Sequence, residues 1–148
     1  MQLTLHADYS LRVLIYLAAN RGRLVPTMEI SRAYGISANH LVKVVLNLSK
    51  HGYVRSRRGR TGGSELAKEP EEINLGEVIR QLEPDFDIVE CFNPMRNSCP
   101  IDQVCGLKAV LRDAGEAFIS VLERYTLGDM MTEDECRVYE AFFLPLAR

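Results

Sequence analysis

The stretch that decides the fold is residues 34–63, YGISANHLVKVVLNLSKHGYVRSRRGRTGG. Within it Leu41, Val44, Val45 and Leu48 recur at i, i+3, i+4 and i+7, which is one apolar stripe of a helix. Ser37 stands where an N-cap belongs, and His51-Gly52 supplies the stop, with the His charge favoured at the carbonyl end of the helix dipole. Just upstream, Pro26-Thr27 offers a cap for a short helix over 28–34 that ends at Gly35. Two helices joined by so tight a turn as Tyr34-Gly35-Ile36-Ser37 make a helix-turn-helix. Downstream, residues 53–56 alternate as a strand does, 57–63 form a basic glycine-rich turn, and 64–67 can return. A helix-turn-helix over about 28–51 followed by a hairpin over about 53–67 is the winged-helix layout.

On the N-terminal side, Leu11, Leu14, Ile15 and Ala18 mark another helix within 8–20, ahead of a turn at 20–23. Beyond Lys68-Glu69-Pro70 the charge changes sign. Residues 1–66 hold ten Lys/Arg against three Asp/Glu, or +7, and 67–148 hold eight against seventeen, or −9, so the net −2 conceals two halves. This division suits a winged helix-turn-helix DNA-binding domain over 1–68 joined to a different unit over 69–148. The second unit reads as an Asn74-capped helix over 75–82 closed by Glu83-Pro84, a cysteine loop over 91–105, a long helix over about 102–125 and a helical C-terminal tail. Val104, Leu107, Val110, Leu111, Ala114, Phe118, Val121 and Leu122 stripe the long helix for more turns than a small core needs. It is expected to be a dimerisation helix. The fold class is therefore mainly α with a small β-hairpin: a winged helix-turn-helix domain plus a long dimerisation helix.

Several function classes drop out on composition. The longest apolar run is residues 13–19, short of the about 20 residues a membrane span needs, and no secretory leader is expected. Cys91, Cys99 and Cys105 crowd into fifteen residues while Cys136 stands alone, which in a reducing cytoplasm suits metal or redox chemistry better than a disulfide framework. No nucleophile–base pair, phosphate loop or two-His metal motif marks an enzyme.

The polar face of the 37–50 helix offers Asn39, His40, Lys43, Asn47 and Lys50. Asn pairs bidentately with adenine, and Lys reaches guanine or phosphate. The free amides at Ser37 and Ala38 suit a phosphate. Arg57, Arg58 and Arg60 on the glycine-rich turn suit a backbone or narrow minor groove. The alternative for each residue singly is a solvated surface position, but the +7 half as a set points to double-stranded DNA. The C-x7-C-x5-C loop supplies three soft ligands without the short C-x2-C or H-x3-H pair that zinc usually takes. Spacing alone leaves open an iron–sulfur cluster, zinc, or three cysteines that are merely reduced or redox-paired.

Taken in order, these features resemble the iron–sulfur winged-helix transcriptional repressors over nearly the whole chain. The marks are Leu3-Thr4 and Asp8-Tyr9-x-Leu11-Arg12, Asn39-His40-Leu41-Val42-Lys43-Val44, and Arg58-Gly59-Arg60-x-Gly62-Gly63. Cys91/Cys99/Cys105 and Tyr125-Thr126-Leu127-x-Asp129 complete them. Branches of this family sense nitric oxide, govern cluster assembly or respond to iron. The cluster-assembly branch carries a His ligand three residues after the third Cys, where this chain has Lys108. Asp8 and Tyr125-Thr126-Leu127 are nearest the nitric-oxide-sensing branch. That resemblance implies a cytoplasmic homodimer on a palindromic operator. It also implies an iron–sulfur cluster, 4Fe–4S in preference to 2Fe–2S, held by Cys91, Cys99 and Cys105 with Asp8 of the other subunit. Arg12 would lie beside this ligand, pairing with Asp8 or facing the cluster. Nitric oxide would release the DNA and derepress detoxification genes. The alternatives are an iron- or cluster-status-responsive repressor and a zinc-stabilised DNA-binding protein. Family wings usually continue Gly-Gly-apolar-Arg-Leu, whereas here Glu65 follows Ser64, and an acid there is expected to avoid phosphate.

Overall fold

The computed structural model describes residues 2–59, 61–85 and 87–143, the side chains of Glu140 and Phe143 excepted. Helix α1 (Leu5–Ala19) opens at Thr4, whose hydroxyl accepts the Ala7 amide at 3.2 Å. Helix α2 (Thr27–Tyr34) begins directly after Pro26, so Thr27 lies inside the helix rather than capping it. Pro26 has no amide of its own to satisfy, and its carbonyl accepts the Glu29 amide at 2.9 Å in place of a side-chain cap. Gly35 closes α2 at φ 64°, a left-handed conformation natural to glycine. Helix α3 (Ala38–Lys50) follows. Ser37 takes the N-cap position, but its hydroxyl makes no capping bond, so it does not serve as a side-chain cap. Its carbonyl instead accepts from His40 and Leu41.

The end of α3 is a complete glycine-type stop. Gly52, at φ 75°, donates to the Ser49 carbonyl, and Tyr53 reaches back to Leu48 at 3.0 Å. This turn delivers the chain into β1 (Val54–Arg57), which pairs antiparallel with β2 (Gly63–Leu66). The register sets Val54 opposite Leu66, Arg55 opposite Glu65, Ser56 opposite Ser64 and Arg57 opposite Gly63. Val25 adds a short bridge to Ser64 on the other side of β2, and a Cβ at Gly63 would fall 2.8 Å from the Val25 carbonyl. Only glycine permits that approach.

Helix α4 (Leu75–Leu82) has the expected limits, with Asn74 Oδ1 accepting the Glu77 amide at 3.1 Å. The same Asn74 donates through Nδ2 to the Glu123 carbonyl, tying α4 to the end of helix α5 (Gly106–Leu122). Helix α5 is shorter than its apolar pattern predicts. Residues Asp102–Val104 form a separate 3-10 turn, and Cys105 is extended at φ −78°, ψ 106°, so Val104 stands outside the helix. At the other end Tyr125 is drawn off to bond Leu75 and Thr126 bridges Asn74. Helix α6 (Glu133–Phe143) forms the C-terminal tail.

One apolar cluster unites these elements. Leu14 and Leu17 of α1, Ile30 of α2, Leu41 and Leu48 of α3, and Tyr53 below the wing are almost wholly buried. It continues through Ile73, Val78, Ile79, Ile119 and Leu127, so α4 and α5 stand on the same core as the winged helix.

A polar clamp closes its outer edge. Glu29 of α2 accepts the Tyr16 hydroxyl at 2.9 Å and two bonds from Arg23. The Arg23 bonds hold the Glu29 carboxyl below its ordinary range, although burial acts the other way. A carboxylate with a depressed folded pKa stabilises fully above its unfolded pKa, and loses that contribution as pH falls through the folded one. Glu29→Gln is expected to cost about 1–2 kcal/mol at neutral pH. In urea titrations the deficit should shrink as pH drops below the ordinary carboxylate range, and a deficit unchanged in acid would exclude the ionic role.

Candidate functional site

The expected site residues fall on two surfaces, one on α3 with its wing and one that starts on α1. The first is α3 with its wing. Ser37, Asn39, His40 and Lys43 are solvent-exposed on one side of α3, opposite the buried Leu41, Val44, Val45 and Leu48. Arg57 and Arg58 are exposed at the end of β1 and in the turn that follows; Arg60 lies outside the described residues. Among the described residues no ion pair engages Lys43, Arg57 or Arg58, whereas Arg12, Arg21, Arg23 and Arg55 are each paired to a carboxylate. Unpaired cations clustered on one face suit a polyanion. Glu65 is the cross-strand partner of Arg55, at 3.8 Å, which keeps both in a local pair on the wing's stem.

The second surface begins at Asp8 in the first turn of α1. Arg12, one turn later, grips its carboxylate with two bonds, at 2.8 and 3.2 Å. The guanidinium also lies 5.9 Å from the Tyr9 ring and 5.8 Å from the Tyr34 ring, a double cation–π setting that fixes its plane. Burial pushes the Tyr34 hydroxyl up to about 12, with Tyr139 of α6 adding to the rise and Arg12 opposing it. Tyr34 is therefore neutral at any physiological pH, and its ring offers Arg12 an undisturbed π face.

Sequence reading overlooked how this corner reaches α3. His6 Nε2 lies 2.8 Å from Asn47 Nδ2, and the Tyr9 ring meets the His40 ring at 6.4 Å between centroids. Residues 6 and 9 thus flank Asp8 and touch both halves of α3. Asn47 is engaged there, so it is not a free DNA-facing group. The spacing of 6 and 9 on one helical face was the available signal, but it does not name the partner.

The cysteine loop is shaped by its own polar side chains. Asn93 and Asn97 accept the amides of Met95 and Cys99, each at 3.0 Å, and Arg96 spans Asp85 and Asp87. Ser98 bonds Glu90, and Lys108 pairs with Asp102 beside Cys105. Cys91, Cys99, Cys105 and Cys136 are all free thiols and partly buried. Cys136 directs its thiol at the Met131 carbonyl, 3.5 Å away, a local contact between α6 and the turn before it. Among the described residues no three His, Cys, Asp or Glu side chains of one chain lie close enough to hold a metal. By donor chemistry the loop fits a cluster: three unoxidised sulfurs on an irregular segment, which thiolate-loving iron–sulfur groups require.

Residues 3–133 match the model of Rrf2, an iron-dependent transcriptional regulator. The chain belongs to the Rrf2 family. Among its relatives is the HTH-type transcriptional regulator NsrR of Bacillus subtilis (strain 168), 52% identical over 136 residues, with 91% of this chain and 93% of that one covered. NsrR of Shouchella clausii (strain KSM-K16) is 46% identical over 144 residues, covering 96% and 97%. Of solved structures, T. potens IscR superposes with a TM-score of 0.69 at 29% identity, covering 88% of this chain and 85% of that one. CymR (YrzC), the global cysteine regulator of B. subtilis, gives a TM-score of 0.65 at 30% identity over 88% and 95%. This Rrf2 member is a transcriptional regulator of the NsrR type and not an enzyme. Its winged-helix fold is that of these regulators. Among the described residues no helix is long and apolar enough to cross a membrane.

Proposed function

We propose that this Rrf2 regulator is a cytoplasmic homodimeric repressor whose iron–sulfur cluster, a 4Fe–4S group, makes operator binding responsive to nitric oxide. The observation that carries this reading is the placement of Asp8. It sits on the exposed side of α1, between the two residues that touch α3, so whatever holds Asp8 also bears on the reading helix. Cys91, Cys99 and Cys105 of one subunit would hold the cluster, with Asp8 of the other as the fourth ligand. When bound, such a cluster would supply iron reactive toward nitric oxide, with the Asp8 carboxylate a weaker ligand than the three thiolates.

The remaining steps belong to the protein's own residues. Helix α5 leaves Leu107, Val110, Ala114, Ala117 and Val121 exposed at alternating spacings of three and four, the seam of a helix pair. Pairing along it would set the two α3 helices one helical turn of DNA apart. With Asp8 engaged by the partner, Arg12 gives up its carboxylate and stays between Tyr9 and Tyr34. With Asp8 released, Arg12 recaptures it, and α1 carries His6 and Tyr9 with it. The spacing of the reading helices is then no longer fixed. Ser37, Asn39, His40 and Lys43 would contact the major groove, and Arg57, Arg58 and Arg60 the backbone or minor groove.

Anaerobic purification tests the reading. A brown protein that is bleached by nitric oxide and releases its operator in the same titration is expected. A colourless protein carrying stoichiometric zinc, or a cluster indifferent to nitric oxide and responsive only to iron supply, overturns it. The wing makes a separate prediction. Arg57→Ala with Arg58→Ala removes four cations per dimer. The slope of log affinity against log salt should therefore flatten by about three to four, measured by fluorescence anisotropy. A parallel shift at unchanged slope would mean that these arginines do not touch phosphate.

A further inference from the structure

We infer that Val42 and Leu46 form an apolar edge on α3 that reads the 5-methyl groups of thymine in the operator. Val42 is 46% and Leu46 54% exposed, on consecutive turns of the helix. They lie in the same solvent-facing stripe as Asn39, Lys43 and Lys50, at offsets of three, four, seven and eleven from Asn39. Isolated apolar residues are ordinary on protein surfaces. A β-branched and a γ-branched side chain placed one turn apart inside a basic reading face are not scattered in that way.

The surroundings decide the occupant. Helix α3 contains no Asp or Glu, its last turn carries Lys50, and the wing beyond it presents Arg57 and Arg58. A protein partner docking here would bury unpaired cations, whereas DNA neutralises them. The major groove, about 12 Å wide, admits a helix and presents one apolar base feature, the thymine methyl. Amide and ammonium groups of Asn39 and Lys43 distinguish hydrogen-bonding edges but cannot sense that methyl. Val42 beside Lys43, and Leu46 one turn on, supply the missing contact. They would make the protein favour thymine where Asn39 and Lys43 alone would accept any base with the right acceptors.

This inference rests on the DNA-reading role of α3 proposed above, and replacing thymine by deoxyuridine isolates it. Deoxyuridine keeps every hydrogen-bonding group and deletes only the methyl. Holo protein selects bound duplexes from a random library, and the selected site is remade with deoxyuridine at one symmetric pair of thymines at a time. Burial of one methyl corresponds to about fourfold in affinity per half-site, so about fifteenfold is expected for a symmetric pair at the contacted position. Val42→Ala or Leu46→Ala should bring the thymine-to-uracil ratio at its own position close to one. Both side chains are exposed, so neither change should alter the fold, as circular dichroism can verify. Lys43→Ala is the contrast, weakening thymine and uracil duplexes alike. The inference fails if no deoxyuridine weakens the wild-type protein, the result also expected if the stripe serves a protein partner. It fails equally if the wild-type ratio survives in both apolar variants. If holo protein enriches no duplex, the DNA-reading role itself is lost, which is a different result.

Discussion

Cys99→Ala, purified without oxygen, is expected to be colourless and to bind the operator about a hundredfold more weakly than the wild-type holo protein, a fall toward non-specific affinity. Cys99 is the middle thiol of the loop and its amide is already fixed by Asn97, so the substitution removes a proposed ligand without disturbing the turn. Among the described residues none of the cysteine loop, 91–105, belongs to the core cluster, so the thermal stability of the apo protein should be unchanged. Non-specific binding to unrelated duplex should also survive, because Lys43, Arg57 and Arg58 are untouched. Loss confined to the specific duplex thus separates a cluster-dependent dimer geometry from a folding defect. Full operator affinity in a colourless variant would show that the loop has no part in DNA binding.

The parts of the fold legible in the sequence were those set by local periodicity and by backbone chemistry. Leu41, Val44, Val45 and Leu48 marked the buried face of α3, and Gly35 marked the end of α2 and Gly52 the end of α3, both at positive φ. Asn74 marked the start of α4 for the same kind of local reason. Helix α5 was over-extended because apolar spacing continues through Val104, whereas the Asp102–Lys108 pair and the extended Cys105 break the helix there. Spacing records which side chains recur, not where the backbone must open to present a thiol.

The site was legible as residue types and illegible as contacts. Asp8 and Arg12 stand four apart, so their ion pair followed from helical geometry. His6 with Asn47 and Tyr9 with His40 join residues 41 and 31 positions apart, and no pattern within either helix specifies such a pairing. Those contacts exist because α1 and α3 pack through Leu14, Leu41 and Leu48, which brings the polar rim of one helix onto the other. Core packing therefore creates the link between α1, which carries Asp8, and α3, the helix proposed to read DNA.

That link makes Asp8→Ala the discriminating substitution. Asp8 and Arg12 side chains are 38% and 43% exposed, and a surface pair of that kind contributes about 0–1 kcal/mol. The variant should therefore melt within a few degrees of the wild type. Three thiolates remain, so the protein should still be purified brown. Operator affinity is nevertheless expected to fall about tenfold, equivalent to about 1.4 kcal/mol. Nitric oxide should then produce little further loss, since the constraint it removes is already absent. A purely structural role for Asp8 would give the reverse pattern: lowered stability, with the nitric-oxide response intact in whatever protein remained folded. Arg12→Ala sharpens the comparison, because it frees Asp8 without removing it. If Arg12 and the partner's cluster compete for one carboxylate, Arg12→Ala should raise the nitric-oxide dose needed for release while Asp8→Ala abolishes the dependence. Equal behaviour of the two variants would show that Asp8 acts only through its ion pair, and would remove it from the ligand set.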